Sequence, residues 1–359
     1  MRAFIALLML GLCLPALAED KVLNIYNWAA YLPEEGLQQF KEQTGIAVKY
    51  DTFDSPEVLE SKLLTGGSGY DLVFPSSSVL ARAIKAGAVQ EVPHASLSGY
   101  ANLDAELLAK LTVSDPGNRY GVPYTWGTVG LGLNLQAVQQ RIADAPLNSF
   151  DLLFKPEYAS QLKDCGIAVL DSPQEVISIA LNYLGHDPYS TNKADLQEVQ
   201  ALLGKLQPNV RYVGTGRHID DLAKGEICLA LTYNGDAGMA AAQAAENQQP
   251  FEVVYRIPRE GTLIWFDVMA IPGDAPHPEA ARQFIDFMLR PAVIAELTNT
   301  IYFANANLAS AELIDPAIKS DPDVYPPQAV RARLFSEEQQ SLKEQRARTR
   351  LWTTFRTQL

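Results

Sequence analysis

The sequence predicts an α/β protein of two lobes, each a parallel-rich sheet flanked by helices, joined by a hinge of extended crossovers. Three observations predict it. Strand and helix signals alternate from residue 22, the alternation restarts near residue 150, and a stretch rich in glycine and aromatics separates the two blocks. Length agrees: beyond an 18-residue leader, 341 of the 359 residues remain. That exceeds one ordinary core and suits two domains of about 150 residues each.

Residues 1–18, MRAFIALLMLGLCLPALA, read as a cleavable secretory signal peptide: a basic Arg2, an apolar run from Ala3 to Leu14, and small residues at Ala16 and Ala18. The run is shorter than the ~20 residues that span a bilayer. Cys13 does not mark a lipid anchor, because Leu12 stands where a small residue is needed. Val22–Tyr26 predicts a buried strand, Pro33–Gly45 a helix, and Ile46–Tyr50 a second strand. Ser55 and Pro56 open the next helix as N-cap and first-turn proline, and Gly66-Gly67 ends it. Asp71–Phe74 is a third strand, followed by Ser76-Ser77-Ser78 and a helix over Val79–Ala86.

The second block offers strands at Cys165–Leu170, Val210–Val213 and Ile227–Tyr233, with helices at Ser172–Gly185 and Ile219–Lys224. Tyr120–Asn134 reads as the first crossover and Tyr255–Gly261 as the return. They divide the chain into lobe 1, residues 19–124 and 256–308, and lobe 2, residues 125–255 and 309–359. Residues 279–290 form an amphipathic helix with Ala281, Phe284, Ile285 and Met288 on its core face. The charge-rich end from Ser336 reads as a surface helix.

The net charge is −13, becoming −14 without Arg2, with a pI near 4.8. Such a chain repels nucleic acid and anionic membranes and suits a cationic ligand. Cys165 and Cys228 remain after the leader; an even pair in an exported chain reads as a disulfide, with two buried free thiols as the alternative. His94, His186, His218 and His277 show no metal-ligand spacing. No HExxH, GxSxG or GxxxxGK[ST] motif occurs, and Gly127–Gly132 reads as close-packed crossover backbone. No cofactor, metal or catalytic residue is expected.

Asn27-Trp28 and Tyr31 follow the first strand. DLVFPSSS (71–78), LDSPQEV (170–176), LTYNGD (231–236), WFDVMAIP (265–272), FANAN (303–307) and YPPQAVRARLF (325–335) come after them. In this order the set resembles the periplasmic polyamine-binding proteins of ABC importers, closest to the putrescine-binding branch. The resemblance implies a two-lobed periplasmic binding protein of type II-like fold, with ligand between the lobes. It also implies a Cys165–Cys228 link, a monomer, and membrane subunits of an importer as partners. Carried over position by position, it implies a ligand site of Trp28, Tyr31, Ser78, Glu175, Tyr233, Asp236, Trp265, Asp267 and Phe303. The sequence departs from that pattern: Ala29 and Ala30 stand where a hydroxyl residue and an acid are usual, Tyr233 replaces a tryptophan, and Phe303 a tyrosine. The resemblance therefore implies an amine ligand, putrescine or spermidine among others, without choosing one.

Each residue has a structural alternative. Ser172 and Glu175 have the spacing of a capping box, Asp236 and Ser78 suit helix caps, and the aromatic residues suit a core. Asp267 stands apart, because a carboxylate inside an apolar strand needs a partner. A diamine presents two ammonium ends for carboxylates and an apolar stem for aromatic faces. The competing readings are binding of another amine-containing solute, a ligand-sensing subunit of a membrane receptor, and an enzyme using Glu175 with Asp236 or Asp267.

Overall fold

The computed structural model describes residues 22–357 apart from 30, 33, 54 and 339, so the signal peptide expected over residues 1–18 and Ala30 lie outside the described residues. Eleven strands are described: β1 (Val22–Trp28), β2 (Ala47–Phe53), β3 (Leu72–Val73), β4 (Val89–Gln90), β5 (Gly121–Asn134), β6 (Ile167–Val169), β7 (Val210–Val213), β8 (Leu229–Tyr233), β9 (Val253–Arg256), β10 (Leu263–Pro272) and β11 (Phe335–Ser336). The path through the sheet runs β2-β1-β3-β10-β5-β8-β6-β7, with β4 and β11 on β10 and β9 on β5. Pairings β1–β2, β1–β3, β6–β7, β6–β8 and β10–β11 are parallel. Those that β5 makes, to β10, β8 and β9, are antiparallel.

The predicted β-α-β openings form at both ends of this path. The Pro56–Thr65 helix starts where Ser55 accepts the Val58 N–H and ends at Gly66, whose φ of 72° suits a residue without Cβ. Helix Pro278–Met288 buries the predicted Ala281, Phe284, Ile285 and Met288, and Phe284 meets Phe40 edge-on with centroids 4.9 Å apart. Two expectations need correction. The helix after β3 begins at Ser77 rather than Val79, so Ser78 lies in its first turn and is not its cap. The C-terminal surface helix begins at Leu342 rather than near Ser336, which lies in β11, and it buries one face through Arg348, Trp352 and Phe355.

The first crossover is a single 14-residue strand with every residue buried. Its first half, to Thr128, pairs with β10; its second half pairs with β8 on one side and β9 on the other. β5 thus belongs to both parts of the sheet, and β9 leads back through residues 257–262 to β10 beside it. The two-lobed α/β architecture follows from this arrangement. A Cβ at Gly127 would sit 2.2 Å from Asn234 Oδ1 and 2.5 Å from the Trp265 ring, so glycine is there for close approach. Cys165 and Cys228 form a disulfide with Cα atoms 5.5 Å apart. No helix among the described residues is long and apolar enough to cross a membrane.

Candidate ligand-binding site

The nine predicted site residues converge where β5 changes partners. Trp28 ends β1, and Tyr31 follows it. Trp265 and Asp267 come from β10, Tyr233 from the end of β8, and Asp236 from the first turn of the following helix. Phe303 follows helix Pro291–Ile301. Glu175 sits in the first turn of helix Pro173–Tyr183. Their rings form a continuous wall. Trp28 to Tyr31 is 6.4 Å between centroids, Tyr31 to Phe303 is 5.8 Å, Phe303 to Trp265 is 4.9 Å, and Trp265 to Tyr233 is 5.8 Å. A Cβ on Gly235 would lie 2.3 Å from Phe303, so this glycine lets the ring approach the helix start.

Backbone irregularity aims Asp267. The β5–β10 register shifts between Asp267 and Val268, opposite Pro123, which has no N–H for the ladder. The Val268 N–H instead donates to the Pro75 carbonyl at 3.0 Å, and the Asp267 backbone bridges Ser76, just before the Ser77–Ala86 helix. The Asp267 carboxyl is 4% exposed. Burial pushes it up to about 7; the polar groups of nearby Tyr31 and Trp28 hold it down, and Glu175 adds to the rise. The Tyr31 hydroxyl is raised well above its usual value by burial, then by Asp267 and Asp236.

Glu175 accepts a 2.7 Å hydrogen bond from the Tyr233 hydroxyl. Its carboxyl is pushed up to about 7 by burial and by the Glu337 carboxylate, against the Tyr233 hydrogen bond and the nearby Ser172 hydroxyl. Ser172 makes no side-chain capping bond, so the spacing of a capping box is present without its reciprocal bonding. Asp236 does not cap its helix either. His218 Nε2, 3.1 Å away, hydrogen-bonds its Oδ2, and the same nitrogen lies 2.6 Å from Thr232 Oγ1. Among the described residues no lysine or arginine forms an ion pair with Glu175, Asp236 or Asp267. No group of metal-ligating side chains occurs among them.

Sequence reasoning missed two participants. His218, 1% exposed, lies in a segment, GRHIDD, that carries no signal for its contact. Glu337 follows β11, whose parallel pairing with β10 brings the chain beside Trp265. The Ser78 hydroxyl is 3.2 Å from that of Ser76 and lies near the Glu337 carboxylate. Burial raises Glu337, while Ser78, Arg82 and Arg348 oppose the rise. Its run of glutamates and glutamines, SEEQQ, looks like solvent-facing chain. A surface cavity of about 540 Å³, lined by Glu57, Asp171, Trp352 and Arg356 among others, contains none of the nine residues.

Comparisons with known proteins show the family and the fold. The family described as bacterial extracellular solute-binding protein matches residues 36–326. The chain is 44% identical over 341 residues to the putrescine-binding periplasmic protein SpuD of Pseudomonas aeruginosa (strain UCBPP-PA14), covering 95% of this chain and 93% of that protein. It is also 44% identical over 338 residues to the putrescine-binding periplasmic protein PotF of Escherichia coli (strain K12), covering 94% and 91%. Among solved structures, the spermidine/putrescine ABC transporter substrate-binding protein PotD of Streptococcus pneumoniae superposes with a TM-score of 0.82. It is 29% identical, and the match covers 94% of this chain and 99% of that one.

Proposed function

Because this chain belongs to the bacterial extracellular solute-binding proteins, we propose that it captures a protonated di- or polyamine, such as putrescine or spermidine, in the periplasm and delivers it to the membrane subunits of an ABC importer. One observation carries the reading. Two carboxyls, Glu175 and Asp267, sit against a continuous aromatic wall with no lysine or arginine paired to them among the described residues. Burying carboxylates without a cation is costly, and an ammonium group offsets that cost. The aromatic faces attract the same charge and accept the methylene stem.

The bonding supports a division of the chain at β5 and near residue 256. The first lobe, residues 19–124 and 256–308, supplies Trp28, Tyr31, Ser78, Trp265, Asp267 and Phe303; the second, residues 125–255, supplies Glu175, Tyr233 and Asp236. Sequence alone assigns 309–359 to the second lobe. Arg331 pairs with Asp104 and Glu106, and Asn299 bonds Asp315, which favours residues 309–334 belonging to the first. The last helix stays with the second through the Trp352–Asp171 bond. Ligand groups on both lobes let one diamine hold them together.

Calorimetric titration of the chain with putrescine, cadaverine, spermidine and agmatine, and with neutral and acidic amino acids as controls, tests the function. Saturable binding of at least one di- or polyamine is expected. At about 100 times Kd the melting curve should report about 2.7 kcal/mol of added stability. Binding of an amino acid with no response to any amine would overturn the reading.

A further inference from the structure

Arg348 projects from the last helix and is 2% exposed. Its guanidinium donates to the Gln174 carbonyl at 3.2 Å, Ser178 Oγ at 2.7 Å and the Pro188 carbonyl at 2.8 Å. No carboxylate among the described residues forms an ion pair with it. A buried guanidinium bonded only to neutral acceptors is an expensive way to pack a helix; a methionine fills such a place without desolvating a charge.

The location of those bonds supplies a reason. Gln174 immediately precedes Glu175, and Ser178 lies one turn further along the same helix. The fork of Arg348 therefore grips the turn that presents Glu175 to the site. Its charge faces Glu337, Glu344, Asp187 and the Tyr189 hydroxyl, which itself bonds the Ser336 carbonyl. Glu337 in turn faces Glu175, Tyr233, Ser78 and Arg82. We propose that Arg348 is a positioning residue for the amine site: it fixes the backbone beneath Glu175 and favours the charged form of the neighbouring Glu337 without neutralising that carboxylate by contact. This rests on the amine-binding reading. It gives the C-terminal helix, remote from the aromatic wall, a role in affinity. Burial pushes the guanidinium only to about 10, so it is a permanent cation at neutral pH.

The test titrates putrescine and spermidine into the parent, Arg348→Met, Arg348→Lys and Glu337→Gln, and the Arg348→Met/Glu337→Gln double variant, from about pH 6 to about pH 8.5, with melting curves alongside. Arg348→Met should weaken binding about tenfold or more near neutral pH, the deficit shrinking as pH rises and Glu337 ionises. Arg348→Lys keeps the charge but loses the fork, so it should lose a few-fold in affinity with the parent's pH profile. In the Glu337→Gln background the pH-dependent part of the Arg348→Met deficit should vanish. A folded Arg348→Met variant with the parent's affinity and pH profile overturns the proposal. Should Arg348→Met not fold, parent-like affinity in Arg348→Lys overturns it instead. A parent that binds no amine refutes the functional reading itself, a different outcome from either.

Discussion

Asp267 has a carboxyl that folding pushes up to about 7, and Glu175 matches it. Unfolded, such groups titrate near ~4. Between those values the folded chain holds more protons than the unfolded one, so each acid's contribution to stability falls as pH rises through the window. An ammonium reverses the preference, because it favours the carboxylate, and capture then expels protons. Affinity should therefore fall by up to about tenfold per pH unit for each acid below ~7, and level off above it until the amine deprotonates near ~10. Titration at about pH 6 in buffers of different ionisation enthalpy should register net proton release; heats independent of buffer would exclude contact between the ligand and these acids. Asp267→Asn should weaken amine binding between about tenfold and a thousandfold with the fold intact. Glu175→Gln separates two roles: a ligand contact loses affinity, whereas a capping residue would keep it, since Gln serves a capping box too. Asp267 was legible in the sequence because a carboxylate among Trp265, Phe266, Val268 and Met269 has few explanations. Glu337 was not, because its surroundings include Ser78, Arg82 and Glu175, all more than 150 residues away along the chain.

Elements with a strong period were the most legible. The core face of Pro278–Met288 was readable apart from Phe287, which is buried too, since the 3.6-residue repeat is local information. The start of the Ser77–Ala86 helix was misread, because a run of three serines offers three equivalent caps. β5 was readable as extended and close-packed, but its two sets of partners depend on strands more than 90 residues downstream. Gly127→Ala tests its packing. The added methyl meets Asn234 and the Trp265 ring, so a loss of about 1–3 kcal/mol in stability is expected from urea or thermal melts. Unchanged stability would mean that the ring moves aside freely. The Cys165–Cys228 link ties the start of β6 to β8 across 63 residues of chain, a loop whose closure contributes ~4 kcal/mol in the chain-entropy account. Thiol titration of the denatured, unreduced protein, produced without residues 1–18, should find no reactive cysteine; two would show that the bond does not form.

At the scale of the molecule, the site joins side chains from both sides of β5, with Tyr233 against Trp265 and Asp236 near Tyr31. Separation of the lobes would break these contacts, so small-angle scattering should show a smaller radius of gyration with saturating amine than without. Identical profiles would count against a hinged capture. The path of the chain has a further consequence, for the order in which the protein comes into being. Val73 on β3 pairs with Ala270 on β10, and the front half of β5 pairs with the same late strand. A ribosome has therefore made more than 260 residues before the middle of the first lobe's sheet has its central strand. Contacts this distant along the chain form slowly, because loop closure must precede them. The sheet of the second lobe, from the rear half of β5 to β9, is complete by residue 256, so the part of the chain made last closes the part made first.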